Sequence, residues 1–306
     1  MKEKTPTITV TCCRDLPMLD LQAQSIFLYL DTAMPVYLIV NEPDPTEWFD
    51  FFDKHIRHYY QNHSLTIFTR ADFSGNWNVW NPSEINPWAV GWETQQVLKL
   101  CISDKIKEPQ YLVLDSQNFL IQNWSASNYD TDLVPARPGH FVMPVEIWNQ
   151  YSKSLNVNVD EPSSDTLSMC TPIFFDTTAV KMLIDHTGGK DNFASWFKFA
   201  SRIKSEFILY ALWLEKLGGL SKFHHMYTVP EDWGNPMLRD CRTQEEFDWF
   251  LGHIGSHNTH AWVSSNHRAW GNMTDEQYSR LKSKLKKYNL IPNFDNYRNT
   301  YVDLKI

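Results

Sequence analysis

The residues with most to offer chemically stand where an apolar run stops. YLVLDSQN, residues 111–118, passes from four hydrophobic side chains straight into Asp115, Ser116, Gln117 and Asn118. A carboxylate at the tip of a strand, with a second oxygen ligand two residues on at Gln117, can hold a hard divalent ion such as Mg2+ or Mn2+. That ion keeps several waters and fills its shell with diphosphate oxygens. In open α/β sheets ligands gather in the crevice beyond the carboxyl ends of the strands, which is where Asp115 falls. The competing account is that the Asp115 side chain only caps the turn after it.

Other clusters offer less. His253, His257 and His260, in HIGSHNTH, have ligand-like spacing, but no cysteine joins them and Gly255 interrupts the helix that would align the first two. A structural zinc site is therefore not expected. His224 and His225 are expected to pack rather than ligate. The five cysteines are odd in number and lack C-x-x-C spacing, which fits reduced thiols. Thirteen tryptophans, several beside polar residues as in GNWNVWNPSEINPW, present flat faces that suit sugar rings and nucleobases as well as a protein core.

These residues need elements to hold them. Thr7 to Cys13 reads as a first strand, Asp15 to Leu30 as a helix with Pro17 in its first turn, and Val36 to Val40 as a second strand ending on Asn41-Glu42. Trp48 to Tyr60 reads as a helix, Leu65 to Thr69 as a strand, and Asp72 to Pro87 as a polar, aromatic loop. The segment from Gly91 to Ile106 has a helical apolar face that leaves Glu93, Gln95, Gln96 and Lys99 for other uses. Tyr111 to Leu114 is a buried strand. Further strands are expected at His140 to Met143 and Cys170 to Phe175, and a helix at Ala179 to Asp185. One long, mostly buried helix is expected from Trp196 to Leu217, with Glu206 in its middle and Gly218-Gly219 ending it. A capped amphipathic helix spans Thr274 to Lys287. Strands alternating with helices imply an α/β fold around a largely parallel sheet.

The chain of 306 residues, 42% hydrophobic, can fill a sizeable core. The expected layout is a core over residues 1–230 and a C-terminal extension, 231–306, packed on the same domain. No apolar stretch is long enough to cross a membrane, and no signal-peptide pattern opens the chain, so a soluble, cytoplasmic protein is expected. The net charge of -8 argues against a broad DNA-binding surface, although Arg280, Lys282, Lys284, Lys286 and Lys287 form a local basic run.

Four motifs in order resemble bacterial and phage glycosyltransferase-like proteins of the GT-A type, catalogued mainly as a domain of unknown function. They are Asp15 with Ser25-Ile26, Gly91-Trp92 with Gln95-Gln96 and Lys99-Leu100, Tyr111-Leu112 with Asp115-Ser116-Gln117, and Ser205-Glu206-Phe207 with Tyr210. The resemblance spans about residues 7 to 215. It departs from the family at Gln117, where a second acid is usual, and at Phe207, where a tyrosine is.

The resemblance implies a GT-A-like mixed sheet flanked by helices, with a C-terminal helical extension. It implies transfer of a sugar from a nucleotide-sugar donor to an acceptor hydroxyl. Glu206 would be the general base, and Asp115 would carry the metal, Mn2+ or Mg2+, with Gln117 and His267 as further ligands. Because Gln117 is uncharged, the metal would bind weakly, or Lys99 would supply positive charge in its stead. Asp15, Trp92, Gln95, Gln96, Lys99 and Ser116 would face the donor. Plainer roles stand beside these: Glu206 paired at the surface with Lys204 or Arg202, Lys99 and Gln96 on an exposed helix face, and Asp15 favoured by the helix dipole. The acceptor would be a glycan or, in a phage, a hydroxymethylated DNA base, for which the Trp77 to Trp88 loop could form a pocket. A module that binds sugar nucleotides without turnover is the alternative to an enzyme.

Overall fold

Apolar runs rich in β-branched residues build the central sheet of the computed structural model, which describes residues 4–80, 87–126, 134–136, 145–158, 171–226, 236–238, 240–256 and 261–292. Strands β1 (Thr7–Thr11), β2 (Val36–Val40), β3 (Leu65–Thr69) and β4 (Gln110–Asp115) lie parallel in the order β3-β2-β1-β4. Two short strands, β5 (Asn118–Leu120) and β6 (Val134–Ala136), follow. Strand β7 (Ile173–Asp176) then returns antiparallel against β4.

Alternation along the strands feeds two cores. Ile8, Val10, Tyr111 and Val113 face one side, and Val36, Leu38, Val40, Leu112 and Leu114 face the other. Helices α1 (Leu16–Tyr29) and α2 (Thr46–His55) cover the second side. The first is covered by α3 (Pro87–Cys101), α4 (Val145–Leu155), α5 (Thr177–His186), α6 (Lys190–Ala200) and α7 (Glu206–Lys216). Each fully buried Leu, Ile or Val contributes roughly 1.5–3 kcal/mol of transfer free energy. A sheet with helices on both faces is the reason its strands are rich in apolar and β-branched residues.

The chain leaves β1 toward β2 on one side and later returns to place β4 on the other, with Val10 opposite Asp115. The carboxyl ends of β1 and β4 therefore diverge into a crevice at a topological switch point. Gln22 of α1 fixes this junction. Its side-chain N–H donates to the carbonyls of Asp115 (2.8 Å) and Asn118 (2.9 Å), while its oxygen accepts from the Thr9 hydroxyl (2.9 Å).

The single helix expected from Trp196 to Leu217 does not form. The segment from Trp196 to Leu217 is two helices, α6 and α7, and Glu206 opens the second instead of lying mid-helix. Side chains outcompete the helical bonds in between: Gln150 Oε1 accepts from the Arg202 backbone N–H (2.7 Å) and the Ser201 hydroxyl (2.9 Å), and Tyr151 Oη accepts from the Ser205 N–H (3.0 Å). Ser205 then caps α7 by accepting from the Ile208 N–H.

After strands β8 (His224–Met226) and β9 (Met237–Leu238) come α8 (Gln244–His253), β10 (Trp262–Ser265), α9 (His267–Asn272) and α10 (Asp275–Lys286). β10 enters between β5 and β9, with Trp262 opposite Leu120. A third cluster joins Leu281 and Leu285 to Met18 and Leu21 of α1. The strand expected at His140 to Met143 lies outside the described residues. No described helix is long and apolar enough to cross a membrane.

Candidate active site

Asp115 ends β4 with both carboxylate oxygens engaged across the crevice. Oδ1 accepts from Lys99 Nζ (2.7 Å) and from Gln95 Nε2 (3.2 Å), and Oδ2 accepts from the Thr171 hydroxyl (2.8 Å). The turn that follows is held by another side chain, since Asn118 Oδ1 accepts the Asp115 backbone N–H at 2.6 Å. The Asp115 carboxylate is therefore free of the capping role that the sequence left open.

The same ammonium reaches Glu206. Lys99 Nζ lies 2.9 Å from Glu206 Oε1 and 5.4 Å from the centre of the Phe207 ring. Lys99 and Glu206 are 3% and 2% exposed, so neither occupies the open helix face or surface ion pair that composition allowed. Burial works against the ammonium, but Asp115 and Glu206 outweigh it and hold Lys99 above the ordinary lysine value. Burial pushes the Glu206 carboxyl up, against the pull of Lys99. Gln96 fixes the start of α7 through its Oε1, which accepts the Glu206 backbone N–H (3.1 Å).

Asp15 lies between β1 and α1, half-buried. Its Oδ2 accepts from the Cys12 thiol (3.4 Å), and Ser116 adds a further hydrogen bond. Burial raises the Asp15 carboxyl to about 6, with nearby Asp115 adding to the effect. It makes no side-chain cap to α1.

These groups line one cleft of about 810 Å³, together with Trp92, which is 51% exposed, and Gln117. Every site residue expected from the sequence whose side chain is described lines it, which leaves His267 aside. That residue opens α9, and its side chain lies outside the described set; its neighbours Asn266 and Arg268 do line the cleft. Sequence reasoning missed Arg14, Asn41, Glu42, Thr171, Asp240 and Arg268. Asn41 and Glu42 carried a signal, as the polar pair ending β2: Asn41 Nδ2 donates to the Gly91 carbonyl (2.9 Å), and Glu42 Oε1 accepts the Cys13 N–H (2.9 Å). Arg268 carried none, because only the pairing of β10 with β5 brings it to the crevice.

Among the described residues, the donor set does not fit a hard divalent ion. Asp115 Oδ1 already takes two donors and Oδ2 one, Gln117 is neutral, and the described residues contain no group of three His, Cys, Asp or Glu side chains able to share a metal. Of the other histidines, His224 is buried against the Tyr210 hydroxyl (2.8 Å). His253 ends α8 before Gly255, at φ 68°, while His257 and His260 lie outside the described residues. Of the described features weighed for a DNA acceptor, neither Trp77–Trp80 nor α10 contributes to the cleft. The remainder of the Trp77 to Trp88 loop is not described as side chains.

A parallel-rich sheet flanked by helices, with its cleft at the β1/β4 switch point, places the chain in the GT-A glycosyltransferase fold class. It superposes on WbbM, a bifunctional glycosyltransferase, with a TM-score of 0.51 at 11% identity, over 99% of this chain and 52% of that one. By sequence the chain belongs to the family of unknown function DUF6492, which matches residues 14–272. Other similar structures are the glycosyltransferase GlyE of Streptococcus pneumoniae TIGR4 (TM-score 0.48, 11% identity, 98% of this chain and 64% of that) and the galactosyltransferase LgtC in complex with donor and acceptor sugar analogs (0.48, 9%, 94% and 96%). The chain thus spans about half the length of WbbM and less than two thirds of GlyE. No curated protein matches it in sequence.

Proposed function

We propose that this protein is a glycosyltransferase that moves a sugar from a nucleoside-diphosphate donor to an acceptor hydroxyl, with a glycan as the acceptor. The observation that carries the reading is the meeting of Asp115, Lys99 and Glu206 at the switch point of a GT-A sheet. A cleft of about 810 Å³ is within the range of small-molecule and cofactor sites. The open face of Trp92 suits a sugar ring or a nucleobase at its mouth.

In the reaction, the acceptor oxygen bonds to the anomeric carbon while the bond from that carbon to the diphosphate breaks, its electron pair leaving with the nucleoside diphosphate. The acceptor proton passes to Glu206, whose raised carboxyl is suited to receive it. Asp15, beside the β1 end, accepts hydrogen bonds from the uracil or ribose of the donor. Gln95 and Ser116 align the groups around Asp115.

Mass spectrometry of candidate glycan acceptors, incubated with a panel of UDP- and GDP-sugars, tests this. One combination should gain the mass of one sugar residue. Glu206→Gln and Asp115→Ala, checked for folding by circular dichroism, should lower turnover by at least about a hundredfold. Binding without turnover in any combination would identify a sugar-nucleotide-binding module instead. Full activity in both variants would remove the site assignment.

A further inference from the structure

The geometry points to a cleft that supplies its own counter-charge to the donor diphosphate: Lys99 holds the place a divalent ion would take, Arg268 and Arg14 grip the phosphates, and the donor binds without a metal. This rests on the glycosyl-transfer reading above.

The first ground is the state of Asp115. A carboxylate oxygen has two lone pairs, and Oδ1 spends both on Lys99 and Gln95, while Oδ2 spends one on Thr171. A divalent ion would find one lone pair and the neutral amide of Gln117, where a hard ion binds best to several charged oxygens. It would also sit beside an ammonium held 2.7 Å from the same carboxylate. Like charges so close in a poorly solvated site repel strongly. Of the other nearby carboxylates, Glu206 is committed to the same ammonium at 2.9 Å, and Asp15 accepts from the Cys12 thiol and from Ser116.

The second ground is what the cation can still do. Lys99 has three N–H donors, of which Asp115 and Glu206 take two, leaving one for a phosphate oxygen. Two carboxylates around one ammonium leave no surplus positive charge, so the diphosphate must find more elsewhere. Arg268, exposed at the start of α9, and Arg14, in the turn from β1 to α1, line the cleft from separate segments. Guanidinium groups bind phosphate oxygens in bidentate fashion and keep their charge at any working pH. Arg268 comes from beyond residue 230, so the C-terminal segment completes the donor site.

Isothermal titration of the full chain with UDP, GDP and their sugar conjugates, in EDTA and then in Mn2+, decides the matter, with Mn2+ electron paramagnetic resonance as a second readout. Affinity in EDTA should lie within about threefold of that in Mn2+, whereas Arg268→Ala should weaken it at least about tenfold and Arg268→Lys less. Equimolar protein should leave the free Mn2+ signal intact. A gain of about tenfold or more on adding Mn2+, or uptake of one Mn2+ per chain that Asp115→Ala abolishes, would overturn the inference while leaving glycosyl transfer standing. If no member of the panel binds under either condition, glycosyl transfer falls and this inference with it. The metal arms use the unaltered protein and so do not depend on any variant folding.

Discussion

At the scale of single residues, Asp115 could be picked out because an acid ending an apolar strand is exposed to the crevice by the geometry of the sheet. The ion pair that makes it a site could not. Lys99 and Glu206 are separated by most of α3 to α7, and their contact exists only because α6 stops before Glu206. Local sequence offers Glu206 the nearer cations Arg202 and Lys204, and nothing in spacing tells a buried partner from a solvated one. Asp20 is a second acid whose burial spacing alone does not reveal. Asp20 of α1, 5% exposed, accepts one hydrogen bond from Gln24 (3.0 Å), and burial raises its carboxyl from 3.8 to about 6. The folded state then binds the proton more tightly than the unfolded chain does, so its stability falls as pH rises from about 4 through 6. Asp20→Asn should accordingly be more stable than the natural protein at pH 7, by up to about 3 kcal/mol. The two should converge below pH 4. Urea melts of both proteins at pH 3.5, 5 and 7 measure the gap, and a gap independent of pH would contradict the burial argument.

At the scale of elements, β1 to β4 were legible because their residues are β-branched or apolar throughout and end on polar turns, and α10 because Thr274 and Gln277 form a capping box that the structure contains. The break inside residues 196–217 was not legible. Its apolar periodicity continues across the gap, while the bonds that stop α6 come from Gln150 and Tyr151, in an element distant in sequence. That break gives α7 an N-terminus of its own, whose partial positive charge favours the carboxylate of Glu206 in its first turn. Ser205 is the residue that sets where α7 begins. Ser205→Ala should cost about 1 kcal/mol in stability through loss of the cap, read as a lowered Tm. It should also depress kcat more than KM, because Glu206 loses its fixed approach to Lys99. Ser205→Thr, which keeps the hydroxyl, should restore both. A loss of Tm with kcat unchanged would separate the cap from the placement of Glu206.

For the whole molecule, alternating strands and helices were enough to give the α/β class, but not the way the last segment is woven in. WVSS, residues 262–265, is too short to announce itself as a strand, and its pairing with β5 is determined by tertiary contact alone. Through it the C-terminal helices share a core with α1, the helix that follows β1 and anchors the Asp115 turn through Gln22. Gln24 of the same helix closes the joint with a pair of bonds to the Ile291 backbone, at 3.0 Å and 2.9 Å. A shared core makes the stability of the two parts one quantity. Leu285 on α10 is fully buried in that cluster with Met18 and Leu21. Leu285→Ala removes three methyl-sized groups from a packed interior and should destabilise the protein by about 2–5 kcal/mol. Because α1 loses packing at the same moment, tryptophan fluorescence and far-ultraviolet circular dichroism should report one coincident transition, shifted to lower denaturant. Two separate transitions, with only the weaker moved by the substitution, would mean that the C-terminal segment folds as a body of its own.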